Sequence, residues 1–204
     1  MSEKITFTPI SYTGWDALSH LLAEVERFKV KKILIVTDPF LKDIGLTNQV
    51  SEPLESAGYT VDIYTEVVPE PPLAIGEKLV SYTREHAFDM VIGIGGGSAL
   101  DLSKLAGVIA SHEGNVADYL NLTGSKQITH KGLPTILIPT TSGTGSEVTN
   151  ISVLSLETTK DVVTHDYLLA DVAIVDPALT VSLPSKVTAA TGVDALTHAV
   201  EAYI

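Results

Sequence analysis

The sequence predicts an α/β fold, a doubly wound parallel sheet, followed by the start of an all-helical segment. Three observations carry this. Ile33 to Thr37, Met90 to Ile94, Thr135 to Ile138 and Val172 to Val175 are short apolar runs of strand character without the alternation of a half-exposed strand, so they read as strands buried on both faces. Helical patterns lie between strands, as parallel neighbours joined by crossover helices require. From Ser185 onward the pattern is helical with no further strand.

Composition narrows the class. A chain of 204 residues with 45% hydrophobic content is long enough for one α/β domain with a sizeable core, or a domain plus part of another. Its formal net charge of −12 argues against nucleic acid or an anionic membrane as partner, so an anionic ligand would need a local site. With no cysteine there is no disulfide, thiolate nucleophile or Cys-ligated zinc, and any metal must be held by nitrogen and oxygen. The N-terminal Met-Ser-Glu-Lys-Ile-Thr lacks the basic-then-apolar pattern of a signal peptide, and no apolar run reaches the length of a bilayer span. A cytoplasmic location is expected.

Taken in order, Trp15 to Phe28 sets Trp15, Leu18, Leu22 and Val25 on one side and Asp16, His20, Glu24 and Arg27 on another, an amphipathic surface helix. The buried strand Ile33 to Thr37 ends in Asp38-Pro39, where Pro39 opens a helix with Asp38 as its cap. A helix ending near Gly58 and a strand from Thr60 to Thr65 follow. Pro69, Pro71 and Pro72 then interrupt the chain before a helix from Leu73 to His86.

The stretch Asp89 to Lys104 organises the rest. Met90 to Ile94 ends in Gly95, Gly96 and Gly97, and a helix begins after Ser98. Glycines let backbone approach a bulky anion, and the unpaired N–H groups of a helix's first turn carry partial positive charge toward it. Ser98 with Asp101 reads as a capping box. The dinucleotide fingerprint G-x-G-x-x-G fails, because Ser98 stands where its third glycine belongs, and no Gly-Lys-Ser/Thr of a P-loop follows. The sheet is expected to be Rossmann-like, while the loop by itself leaves both phosphate binding and a tight strand-to-helix connection open. A second loop, Pro139-Thr-Thr-Ser-Gly-Thr-Gly-Ser-Glu147, offers neutral hydroxyl donors at another strand's carboxyl end, where ligands gather in such sheets. Beyond it come a β-rich segment to Leu156, a polar turn near Lys160, and the strand Val172 to Val175 closed by Asp176-Pro177.

Ser185 to Ile204 places Ala189, Val193, Leu196 and Val200 on an apolar face and Thr191, Asp194, His198 and Glu201 on a polar stripe. The expected division is an α/β domain over 1–183 and, over 184–204, the first helix of an all-helical domain whose remainder lies outside the chain. Asp194 and His198 stand at i and i+4, a spacing that points a carboxylate and an imidazole at one cation. The same spacing at Asp16/His20 and Asp161/His165 shows that spacing alone selects little.

Gly95-Gly-Gly-Ser-Ala-Leu-Asp-Leu-Ser-Lys104, Pro139-Thr-Thr-Ser-Gly-Thr-Gly-Ser-Glu-Val-Thr149, Asp176-Pro177 and Thr191-Gly-Val-Asp-Ala-Leu-Thr-His-Ala-Val-Glu-Ala-Tyr203 together closely resemble the iron-containing (group III) alcohol dehydrogenases. The resemblance implies a nucleotide-binding domain followed by a helical, metal-bearing one. It assigns Asp38 to the adenosine ribose of NAD, Gly97 and Ser98 to the pyrophosphate, Thr140, Thr141 and Thr144 to the nicotinamide side, and Lys160 to a ribose. Asp194 and His198 match two ligands of a divalent metal, Fe2+ or Zn2+, with two more histidines further along. Glu70 departs from the asparagine the family usually has before proline. The implied reaction is hydride transfer between a small-molecule alcohol or aldehyde and NAD. A homo-oligomer is expected, because the apolar face of the last helix lacks neighbours. Two rivals stand beside this: a dehydroquinate-synthase-like lyase using NAD transiently, and a non-catalytic nucleotide-binding fragment.

Overall fold

The computed structural model describes residues 5–204; Met1 to Lys4, part of the stretch inspected above for a signal peptide, lie outside the described residues. Strands β1 (Ile10–Thr13), β2 (Lys32–Val36), β3 (Thr60–Tyr64), β4 (Met90–Gly95), β5 (Thr135–Pro139) and β8 (Val172–Val175) form one sheet in the order β1-β8-β5-β4-β2-β3. Every pairing in it is parallel. A separate antiparallel hairpin joins β6 (Ile151–Ser155) to β7 (Lys160–Thr164). From β2 the chain winds outward to β3, then returns to lay β4 on the other side of β2. The reversal makes a topological switch point at β2/β4, the place where a ligand crevice opens in sheets of this kind.

Alternation along the strands divides the core in two. Leu34, Val36 and Val91 pack with Leu79, Leu102 and Leu105 on one face; Ile33, Ile35, Met90, Ile92 and Ile94 pack with Leu21, Val50 and Leu54 on the other. The first face is covered by α4 (Leu73–His86) and α5 (Gly97–Ile109), the second by α1 (Leu21–Arg27) and α3 (Asn48–Ser56), with the one-turn α2 (Pro39–Asp43) after β2. Close approach of α5 requires glycine beneath it. A Cβ at Gly93 would lie 2.4 Å from Ser103 Oγ, so any larger residue would push the helix off β4. The last helix, α6 (Ser185–Tyr203), has no buried residue, and Val193, Leu196 and Val200 are exposed.

Three expectations need correction. The edge strand β1 carries no strong sequence signal and was not anticipated; its four residues alternate between half-buried and exposed. The helix expected over Trp15 to Phe28 is a 3-10 turn (Ala17–His20) running into the short α1, and its buried side is Ala17, Leu21 and Val25, leaving Trp15 and Leu22 exposed. Glu24, expected on the solvated side, is buried, where it accepts a 2.7 Å hydrogen bond from Tyr12 and pairs with Arg27. The polar turn expected near Lys160 is found immediately before it, and Lys160 itself begins β7.

Candidate functional site

The switch point sets three loops side by side. Gly95 and Pro139 are register partners, so the loops after β4 and β5 leave the sheet at one level, and Thr140 N–H donates to Gly95 O at 3.0 Å. Gly95 turns the chain with a φ of +151°, which a side chain would strain. Gly97 then starts α5; Ala99 and Leu100 N–H already donate to Gly96 O, which leaves the N–H groups of Gly97 and Ser98, the first of the helix, as the orphan donors of its N-terminus. After β2, Asp38 caps α2: its Oδ1 accepts from Leu41 N–H at 3.0 Å, with Pro39 in the first turn, as expected from the sequence.

Two clefts meet at the start of α5 and share Gly97 and Ser98. One, of 640 Å³, is mostly apolar and contains Asp38, Thr140, Thr141 and Val187. The other, of 650 Å³, contains Thr144, Lys160, Asp194 and His198. All nine residues singled out from the sequence thus line two adjoining clefts, a groove about the Gly97–Ser98 helix start that the clefts share. That shape suits a ligand with two bulky ends and a charged centre. A Cβ on Gly97 would come within 2.9 Å of Thr144 Cγ2, so the cradle is closely walled by the hydroxyl loop.

The capping box expected at Ser98 and Asp101 does not form, since Gly96 is the helix cap and makes no side-chain capping bond. Asp101 is drawn instead into tertiary bonds. It accepts from Ser146 Oγ at 2.5 Å and Val153 N–H at 2.9 Å, and pairs with Lys104 at 2.9 Å. Lys104 is fully buried, donates to Ser146 O, Thr149 Oγ1 and Ile151 O, and is held below the usual lysine pKa by desolvation, which Asp101 partly opposes. This network pins the loop 144–151 to α5. Sequence reasoning gave Asp101 a local role and left Lys104 without one. The available signal was a lone cation in a helix apolar on nearly all sides, which must find a buried partner.

Lys160, at the start of β7, reaches across the second cleft to Glu70, Nζ to Oε1 at 2.8 Å. The hydrogen bond from Lys160 holds the Glu70 carboxyl below its ordinary pKa. On α6, Asp194 Oδ1 and His198 Nε2 lie 3.8 Å apart on the side facing the groove, and a Cβ on Gly143 would sit 3.2 Å from Asp194 Oδ2. Carboxylate and imidazole suit a borderline divalent cation such as Fe2+ or Zn2+. Among the described residues no group of three or more metal-binding side chains gathers, so these two would be part of a donor set. The other pairs of like spacing are otherwise engaged. His20 stacks on Tyr12 at 4.1 Å, while Asp161, in β7, accepts from Val162 N–H and His165 from Tyr167 N–H.

Fold and groove together define a doubly wound α/β domain built to hold a ligand across its switch point. Residues 9–177 match the family model described as iron-containing alcohol dehydrogenase. The chain is 69% identical over 201 residues to long-chain-alcohol dehydrogenase 1 of Geobacillus thermodenitrificans, covering 98% of this chain and 51% of that protein. Among solved structures, a 1,3-propanediol oxidoreductase superposes with a TM-score of 0.92 at 34% identity, over 100% of this chain and 53% of the other. A sulfoacetaldehyde reductase from Bifidobacterium kashiwanohense in complex with NAD+ superposes with a TM-score of 0.85 at 32% identity, over 95% and 51%. The chain belongs to the iron-containing alcohol dehydrogenase family. It spans about half the length of the curated relatives it matches. No helix among the described residues is long and apolar enough to cross a membrane.

Proposed function

We propose that residues 1–183 form the dinucleotide-binding domain of an NAD-dependent alcohol dehydrogenase, and that residues 184–204 are the first helix of its all-helical, metal-binding domain. The observation that carries this is the convergence of nine sequence-selected residues on one groove centred on the Gly97–Ser98 helix start. The N–H groups there bind the pyrophosphate. Asp38, with Oδ1 committed to Leu41, presents Oδ2 to the adenosine ribose hydroxyls. Thr140, Thr141 and Thr144 offer neutral hydroxyls along the nicotinamide half, and Lys160 donates to the second ribose. Asp194 and His198 supply two ligands to a divalent metal, Fe2+ by family affiliation with Zn2+ as its rival. When bound, the nicotinamide exchanges a hydride with the alcohol carbon while the metal polarises the substrate oxygen.

The name of the 69% identical relative makes a long-chain alcohol the first substrate to try. A cytoplasmic homo-oligomer is part of the same proposal. The test is a chelated full-length enzyme assayed with NAD and primary alcohols of graded length, before and after Fe2+ or Zn2+ is returned. Metal-dependent net formation of NADH is expected. Turnover that leaves NAD unchanged at the end would favour the lyase reading instead.

A further inference from the structure

Glu70 combines two features that nothing above uses. Its φ is +49°, a left-handed backbone in which glycine and asparagine are at ease and a long side chain is uncommon. It is also fixed in place: Pro69, Pro71 and Pro72 surround it, and Pro71 O accepts from Ser155 N–H at 2.9 Å, tying the segment to β6. From that pinned turn its carboxylate meets Lys160 of the neighbouring strand. The pair therefore closes a short bridge beside the start of α5, and both residues line the same cleft as Gly97 and Ser98.

We propose that the Glu70–Lys160 ion pair is a latch across the nicotinamide half of the groove, one that an incoming dinucleotide must open and that hastens the dinucleotide's release. The inference rests on the cofactor reading given above. An anionic pyrophosphate entering beside Gly97 meets a carboxylate held ionised by Lys160. The lysine that would donate to the ligand already donates to Glu70, so binding exchanges one ionic hydrogen bond for another and its net gain is small. In the bound state Glu70 remains on its pinned turn as a competitor for the same ammonium. The position therefore selects against tight retention of NAD(H), and it would be more at ease, in backbone terms, with asparagine.

The test is a double-mutant cycle on the full-length protein, reading the Kd and dissociation rate of NADH by fluorescence at low salt, with thermal midpoints as a control for folding. Glu70→Asn is expected to tighten NADH by about fivefold and slow its release, with a smaller gain in a Lys160→Met background of roughly twofold. Glu70→Gln, which keeps the left-handed strain but removes the charge, should tighten NADH as much as Glu70→Asn. Moderate salt should shrink the difference from wild type, because the pair is exposed. Equal tightening in both backgrounds would mean plain charge repulsion and would overturn the latch. So would an unchanged affinity in Glu70→Asn, which would leave Glu70 without effect on the cofactor, a weaker one, which would make it a ligand, or tightening by Glu70→Asn alone, which would make strain the cause. Wild type that binds no dinucleotide overturns the cofactor reading and the latch with it, an outcome distinct from wild-type binding that Glu70→Asn leaves unaltered.

Discussion

Asp38 has two carboxylate oxygens with separable tasks, and this changes how its role is tested. Truncation to glycine would remove the 3.0 Å cap on Leu41 N–H together with the charge, whereas Asp38→Asn keeps an oxygen for the cap. Two unit charges ~4 Å apart at an effective dielectric of ~20 repel by about 4 kcal/mol before screening, enough for the carboxylate to exclude a 2′-phosphate. Asp38→Asn should therefore lower the NAD over NADP preference at least tenfold with little change in thermal midpoint; an unaltered ratio would leave Asp38 as a helix cap only. At the glycine cradle, Gly97→Val confounds two effects, because its Cβ would strike Thr144 at 2.9 Å and displace the hydroxyl loop as well as fill the cradle. Gly96 is cleaner, since a Cβ there meets only Thr141, at 3.7 Å. Gly96→Ala should cost no more than about 1 kcal/mol in stability, the scale of a changed helix cap, yet weaken NAD binding markedly by titration calorimetry. Wild-type affinity in that variant would take Gly96 out of the site.

At the scale of elements, α5 joins sheet, cradle and hydroxyl loop through the buried pair Lys104–Asp101. Lys104→Met removes the partner of Asp101 and of three oxygens from the loop 144–151, and breaking a buried pair from one side typically costs about 3–5 kcal/mol. Denaturant unfolding should show a loss of that order, and NAD affinity should fall because Thr144 is no longer held opposite Gly97; unaltered affinity in the folded variant would show that the loop holds its position without Lys104. This network also marks the limit of what local pattern reveals. Strands β2, β4, β5 and β8 were legible because a run buried on both faces is apolar without alternation, and the cap at Asp38-Pro39 was legible because both of its parts are adjacent in sequence. Strand β1 was not, since Ile10-Ser-Tyr-Thr at a sheet edge is half exposed and its parallel partner β8 lies 162 residues away at Ile10 and Val172. Asp101 satisfied the spacing of a capping box, but tertiary donors from Ser146 and Val153 took its oxygens. For both β1 and Asp101 the deciding partner is far along the chain.

For the molecule as a whole, what decides activity is how many metal donors the chain brings to the groove. The proposed donors Asp194 and His198 are two, and a catalytic metal centre normally holds its ion with three or more protein ligands while leaving a position open for substrate. The groove proposed for dinucleotide, by contrast, draws all seven of its candidate residues from the sheet's loops, the first turn of α5 and the hairpin, which fold on a core of their own. The two functions should therefore separate. Assayed alone, residues 1–204 should bind NAD, retain Fe2+ or Zn2+ weakly and produce no NADH from any alcohol, whereas a form that contributes further histidines should bind NAD, hold the metal firmly and produce NADH. Exposed Val193, Leu196 and Val200 give the shorter form a second signature, self-association that rises with concentration and is reduced when the three are replaced by polar residues, readable by sedimentation. Metal-dependent NADH production by residues 1–204 alone would show that this groove completes its own metal site, and that a two-ligand share of a larger centre is the wrong description of Asp194 and His198.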